Sequence, residues 1–217
     1  MRIENLANKY LLTMKILCVV RNYAPHAKEM QSAVPTEPVF FMKPDSALNQ
    51  KQMPFFYPDF SQDVQHEAEL VVKIKRLGKC IKPEFAHKYY DSVALGIDFT
   101  ARDMQKGFKE RSMPWLLAKG FDGSAVMGPF VTLEELGKPI NDLNFDLKIN
   151  GNLVQQGNSG DMIFDVNHLI AYVSRFITLR TGDLIYTGTP AGVGPVKIGD
   201  HLDGTIEGHP MLSLDIK

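Results

Sequence analysis

His66-Glu67-Ala68-Glu69-Leu70-Val71-Val72 places two glutamates one residue apart at the head of an apolar, β-branched run. Such a run predicts a buried strand. Side chains alternate along a strand, so Glu67 and Glu69 are expected on the same face. Held side by side, two ionised carboxylates repel, and each raises the other's pKa unless a cation sits between them. A hard divalent ion such as Mg²⁺ or Mn²⁺ suits the position, because both prefer carboxylate oxygen. An isolated pair of this spacing also describes a solvated edge strand, and its meaning depends on the residues around it.

Downstream, residues 93–99 form a second apolar strand that ends on Asp98, a carboxylate costly to bury unpaired. Arg102 and Gln105 follow closely enough for a first helical turn to bring them to the same cleft, and Arg102 suits bidentate pairing with a substrate carboxylate. Residues 106–113 read as a charged connector, after which an apolar stretch presents Lys119 beside a glycine. Upstream, residues 15–20 predict a first strand, and Pro25 suits the first turn of a short helix. His26 and Glu29 lie three apart on that helix and share a face, so the carboxylate can orient the imidazole. An exposed surface pair has the same local sequence. Lys43, where the apolar strand 39–42 gives way to loop, can present an ammonium to a cleft or simply be solvated.

Towards the C-terminus, residues 145–154 alternate with period two around Asn150-Gly151 and predict a β-hairpin. From Asn167, the residues Leu169, Ile170, Val173, Phe176 and Ile177 recur at helical spacing and are expected to face the core. A strand at 184–186 leads into Thr187-Gly188-Thr189-Pro190-Ala191-Gly192, a loop whose backbone and hydroxyls are expected to approach an anion. The loop has neither the lysine of a P-loop nor the helix of a dinucleotide fingerprint. Strands outnumber helices without βαβ alternation, which predicts an α+β fold with a mixed sheet.

The 217 residues are 44% hydrophobic and 23% charged, enough for one sizeable core. Twenty-four basic and 25 acidic residues leave a net charge of -1, which argues against nucleic acid or an anionic membrane as the main partner. Two cysteines without metal-ligand spacing fit a reducing compartment. No apolar run reaches membrane-spanning length and no secretory signal is visible, so a cytoplasmic protein is expected. Residues 1–14, ahead of the first strand, are expected to be an extension, with a single catalytic domain over 15–217.

Seven segments in order resemble the fumarylacetoacetate hydrolase family: RNYAPHAKEM from Arg21, FFMKP from Phe40, HEAELVV from His66, GIDFTARDMQ from Gly96, PWLLAKGFD from Pro114, GNSGDMIFDV from Gly157 and LRTGDLIYTGTPAGVGPVKIGD from Leu179. Departures fall at Pro25, where relatives often carry aspartate, and at Val20, where glycine is common. The resemblance implies a β-rich mixed-sheet roll with few helices, forming a homodimer. It implies Mg²⁺ or Mn²⁺ held by Glu67, Glu69 and Asp98, and a lid carrying a water-activating His26–Glu29 dyad. Lys119 joins that pair as a catalytic residue, and Arg21, Lys43, Arg102, Gln105 and Thr189 are expected to bind substrate.

Three carboxylates around a divalent ion leave one excess negative charge, and a 2-oxo acid can chelate through its carboxylate and oxo oxygens. The expected activity is hydrolysis of a carbon–carbon bond in 3-acylpyruvates, an acylpyruvase reaction, with oxaloacetate decarboxylase activity from the same enolate. The alternatives are an isomerase or hydratase of unsaturated 2-oxo acids, of the 2-hydroxyhepta-2,4-diene-1,7-dioate isomerase type, and a non-catalytic dicarboxylate-binding domain.

Overall fold

A computed structural model describes residues 14–49 and 53–217; apart from Met14, the expected N-terminal extension lies outside the described residues. The strands are β1 (Ile16–Val20), β2 (Val39–Lys43), β3 (Val64–His66), β4 (Ala68–Lys73), β5 (Ser92–Asp98), β6 (Thr100–Ala101), β7 (Ala125–Met127), β8 (Val131–Thr132), β9 (Asn144–Ile149), β10 (Asn152–Asn158), β11 (Leu184–Tyr186), β12 (Gly194–Pro195), β13 (His201–Ile206) and β14 (His209–Asp215). The α-helices are short: α1 (Ala24–Glu29), α2 (Pro83–Ala86), α3 (Arg102–Glu110), α4 (Leu116–Lys119), α5 (Leu133–Leu136) and α6 (Val166–Ser174).

Seven strands form the main sheet in the order β2-β1-β11-β4-β5-β7, with β8 also on β5. All its pairs are antiparallel except β1 with β11, so the sheet is mixed as expected. A four-stranded sheet, β10-β9-β13-β14, and a small one, β12-β3-β6, complete the β roll. Asn150 and Gly151 turn the β9–β10 hairpin with φ of 52° and 80°, the left-handed pair that a two-residue turn requires.

Strand alternation divides the apolar residues into two sets. Leu17, Val19, Leu70, Val72, Val93 and Leu95 face the four-stranded sheet and α6, where Leu147, Leu202, Leu169 and Ile170 complete the principal core. Ile16, Cys18, Val71, Ala94 and Tyr186 take the opposite parity and build a smaller cluster on the other face. Glu69 and Asp98 share the parity of Val71 and Ala94. Lys43 stands opposite Ile16, so it belongs to the same face. The candidate site therefore lies on the side of the main sheet turned away from the principal core.

Two expectations need correction. Residues 106–113 are no mere connector, because α3 runs through Glu110 and buries Gln105 and Phe108; only a narrow apolar edge was needed, and the charged outer face masked it. At the other end, α6 stops at Ser174, whose carbonyl and hydroxyl accept from the Cys80 and Ile81 amides. Phe176 thus falls beyond the helix, 62% exposed and against Tyr172 rather than in the core. Both cysteines are free, Cys18 buried and Cys80 exposed. Among the described residues, no helix is long and apolar enough to cross a membrane.

Gly96 faces Glu69 across the β4–β5 pair. A Cβ there would stand 2.6 Å from Val71 Cγ2, 2.7 Å from the Val126 carbonyl oxygen and 2.9 Å from Tyr186 Cε1. Gly96→Ala is expected to cost about 1–3 kcal/mol through overpacking, read as a lower urea midpoint with an unchanged m-value. A midpoint equal to that of the parent would mean that the strand has slack the packing does not suggest.

Candidate metal centre

Glu67, Glu69 and Asp98 are buried, and each offers a carboxylate oxygen within 4.8 Å of the others. The strand expected through Glu67 breaks there: β3 belongs to the small sheet, β4 to the main one, and Glu67 is the residue between them. Its carbonyl still accepts from the Asp98 amide at 2.9 Å, which keeps it opposite Asp98. Gln155, from β10, holds the break. Its Oε1 accepts from the Ala68 amide at 2.9 Å and lies 2.9 Å from His66 Nδ1, while its Nε2 donates to Thr189 Oγ1 and the Pro190 carbonyl. Burial lowers the His66 pKa, which keeps that ring neutral.

Cations surround the carboxylates more closely than the sequence suggested. Lys119 Nζ donates to Glu67 Oε2 at 2.8 Å and to Asp98 Oδ2 at 2.9 Å. Arg102 Nη2 donates to Glu67 Oε1 at 2.5 Å, and its other nitrogens reach Gln65 and Gln105. Lys43 Nζ lies 2.8 Å from Asp98 Oδ1 and donates to the Ser124 hydroxyl and to the carbonyls of Phe99, Lys119 and Ser124. Wholly buried behind Asp98, Lys43 is absent from the cleft wall, which corrects its expected role in binding substrate. The three cations also offset the three carboxylates, so the expected excess of negative charge around a divalent ion does not exist.

Environment separates the two glutamates. Burial pushes the Glu67 carboxyl up, but Lys119 and Arg102 more than reverse this and hold it well below the usual carboxylate range. Burial raises Glu69 far above its ordinary value, and Asp98 and Glu67 add to the rise; the Gly188 amide, donating at 2.7 Å, offsets only part of it. Lys119 is raised: burial works against its charge, and Asp98 and Glu67 outweigh that.

An all-oxygen donor set and a buried Glu69 that pairs with no cation among the described residues fit a hard divalent ion. The Thr-Gly loop does meet an anion, though an internal one. Gly188 donates to Glu69, while the Thr187 and Thr189 hydroxyls donate to the carbonyls of Leu70 and Ala68.

The triad forms the floor of a cleft of about 300 Å³, whose walls include Arg21, His26, Arg102, Gln105, Lys119 and Thr189. His26 Nδ1 lies 3.0 Å from Glu29 Oε2, and Glu29 Oε1 accepts from the Gly192 amide at 3.0 Å. Glu29 therefore acts on the cleft through the imidazole. Arg21 adopts a positive φ of 56°, uncommon outside glycine, directly ahead of α1. Lys109 and Trp115 also line the cleft, and Gln155 supports it. Sequence reasoning missed all three. For Lys109, the i, i+3, i+7 spacing from Arg102 through Gln105 was the available signal.

Fold and site together describe a mixed-sheet β roll with a buried acidic triad, a candidate oxygen-only cation site, at the base of one cleft. Residues 15–216 match the family described as Fumarylacetoacetate (FAA) hydrolase C-terminal, and the chain belongs to it. It is 43% identical over 202 residues to the mitochondrial oxaloacetate tautomerase of Bos taurus, covering 93% of this chain and 90% of that one. It is 42% identical over 203 residues to the mitochondrial oxaloacetate decarboxylase of Dictyostelium discoideum, covering 93% of each. A crystal structure of fumarylpyruvate hydrolase from Pseudomonas aeruginosa in complex with Mn²⁺ and pyruvate superimposes with a TM-score of 0.88 at 36% identity, covering 94% of this chain and 89% of that one. Two of these relatives are named mitochondrial, so family membership does not itself carry the expected cytoplasmic location.

Glu69→Gln keeps the side-chain shape and removes the charge. Calorimetric titration of Mg²⁺ or Mn²⁺ into chelator-treated protein is expected to give binding in the parent and none in the variant. With its folded pKa raised, Glu69 contributes stability that is full below the ordinary glutamate pKa and lost as pH rises through the folded value. Metal-free parent should therefore lose stability in that window while Glu69→Gln does not; parallel pH profiles would contradict the burial argument.

Proposed function

We propose that this chain is a divalent-metal-dependent enzyme of short 2-oxo acids that moves a proton at C3, with the keto–enol interconversion of oxaloacetate as its reaction. One observation carries the reading: the imidazole of His26 stands on the wall of the cleft that holds the triad, oriented by Glu29. A carboxylate only accepts, so Nδ1 carries the hydrogen and Nε2 keeps its lone pair. Bound at the triad, a divalent ion would supply Lewis-acid stabilisation of negative charge developing on the 2-oxo oxygen. His26 Nε2 takes a proton from C3 of the keto form and returns it to the enolate oxygen; the reverse reaction takes the enol proton and delivers it to C3. Glu29 favours the imidazolium formed between the two transfers. Arg102, Gln105 and Thr189 face the substrate's chelating end, and Lys119 holds one oxygen each of Glu67 and Asp98.

Similarity to proteins named oxaloacetate tautomerase and oxaloacetate decarboxylase supports the choice of substrate. Hydrolysis of 3-acylpyruvates is the second reading, favoured by the likeness to a fumarylpyruvate hydrolase; there the same base would take its proton from water. Mere dicarboxylate binding has no need of an oriented base, which weighs against a non-catalytic domain.

Decay of enolic oxaloacetate, pyruvate release and acylpyruvate loss, followed side by side with and without Mg²⁺, test the proposal. Enol decay should be the fastest metal-dependent reaction, and acylpyruvate cleavage outrunning it would favour the second reading. His26→Ala should lose about 10²–10⁴-fold in rate while retaining oxalate, which mimics the chelating end. Glu29→Gln should lose less. Parent-rate turnover by His26→Ala would remove the base from the mechanism.

A homodimer is part of the same proposal. Phe60, Leu116 and Leu117 are 50%, 55% and 63% exposed around an apolar hollow beside α4, the helix that carries Lys119. Exposed apolar patches of this sort mark association surfaces. Light scattering should give a dimer for the parent and a monomer for Leu117→Lys; a monomeric, fully active parent would sink the idea.

A further inference from the structure

We propose that Lys109, together with Arg21, binds the second carboxylate of a dicarboxylic 2-oxo acid, making Lys109 the residue that sets the cleft's preference for diacids over monoacids. The inference rests on the preceding reading that the cleft takes 2-oxo acids.

Arg102, Gln105 and Lys109 recur at i, i+3 and i+7 on α3, so one helix face runs from the triad to the mouth of the cleft. The first two are held near the triad, Arg102 on Glu67 and Gln105 on Arg102. Lys109, at the far end, is exposed, with its ammonium 5.2 Å from the centroid of the Trp115 ring, another part of the wall. That contact leaves the ammonium hydrogens free for an acceptor.

Charge accounting points the same way. Four cations line the cleft: Arg21, Arg102, Lys109 and Lys119. Arg102 and Lys119 are committed to Glu67 and Asp98, whereas neither Arg21 nor Lys109 pairs with a carboxylate among the described residues. Because Lys43, Lys119 and Arg102 already offset the triad, a divalent ion leaves the centre positive. The single carboxylate of a monoacid's chelating end cancels only part of that charge and none of the charge at the mouth. A diacid of four carbons carries its second carboxylate away from the chelating end, and Lys109 and Arg21 are the two cations of the cleft wall not already paired with a carboxylate among the described residues.

A plainer account makes Lys109 a solvated residue favoured by the C-terminal end of α3. Oxaloacetate and 2-oxobutanoate separate the two accounts, since they share carbon count and chelating end and differ in a terminal carboxylate or methyl group. With Mg²⁺-loaded full-length protein, the measurements are kcat and KM for oxaloacetate and the inhibition constant of 2-oxobutanoate. Lys109→Gln is expected to raise the oxaloacetate KM about tenfold, the loss of one charge-assisted hydrogen bond at an open site. It should leave kcat and the 2-oxobutanoate constant within about twofold, and Lys109→Arg should restore most of the affinity. Equal shifts for the two acids, or no shift for either, would overturn the role of Lys109 and leave the oxo-acid reading standing. A parent protein that neither turns over oxaloacetate nor binds 2-oxobutanoate would overturn that reading, and this inference with it.

Discussion

Everything around the cleft depends on a buried exchange of charge: Lys43 against Asp98, Lys119 bridging Asp98 and Glu67, and Arg102 closing on Glu67. Each of these groups would cost several kcal/mol to bury alone. Together they satisfy one another's charges, with Glu69 as the third carboxylate against the three cations, and fasten the ends of β2, β5, α3 and α4 to the break between β3 and β4. The centre is thus shaped by the protein's own charges before any ion arrives. Glu69 is the exception, a buried carboxyl with one amide partner, and it is the group whose state a bound cation would change most.

The dyad is tied to the same frame. Glu29 spends one oxygen on His26 and the other on the Gly192 amide, in the loop whose Gly188 amide serves Glu69 and whose Thr189 contacts Gln155. A short helix of six residues could not fix an imbedded imidazole by its own backbone bonds. The loop supplies the second anchor, and so links the orientation of the His26 imidazole to the position of the acidic triad.

Local chemistry made much of this legible. The buried strand through Glu69, Asp98 ending an apolar strand, the three-residue spacing of His26 and Glu29, and the Asn-Gly turn each follow from a local pattern that a few residues define. What stayed hidden depends on partners far along the chain. Whether Lys43 entered the cleft or turned behind Asp98 was decided by Ser124 and three carbonyls from residues 99–124. Glu67 leaves the strand because β3 finds its partners in a different sheet, and Gln155 gained its role from residues nearly ninety positions away. For α3, the reason was different: a polar outer face concealed a helix whose buried edge is narrow.

The pairing of β1 with β11 also has a temporal side. Ile16 lies beside Leu184 and Cys18 beside Tyr186, so the inner edge of the first strand finds its neighbour only once Leu184 has been made. At about 5–20 residues per second, that wait is on the order of ten to thirty seconds. Meanwhile β1 and β2 can pair with each other but leave one edge of β1 open, the kind of surface that chaperones cover and that aggregates recruit. The loop that caps Glu69 and anchors Glu29 emerges later still. The candidate site would thus close only after residue 184 is made, and a chain stalled before then carries all three acidic residues, Glu67, Glu69 and Asp98, without the closed sheet that positions them.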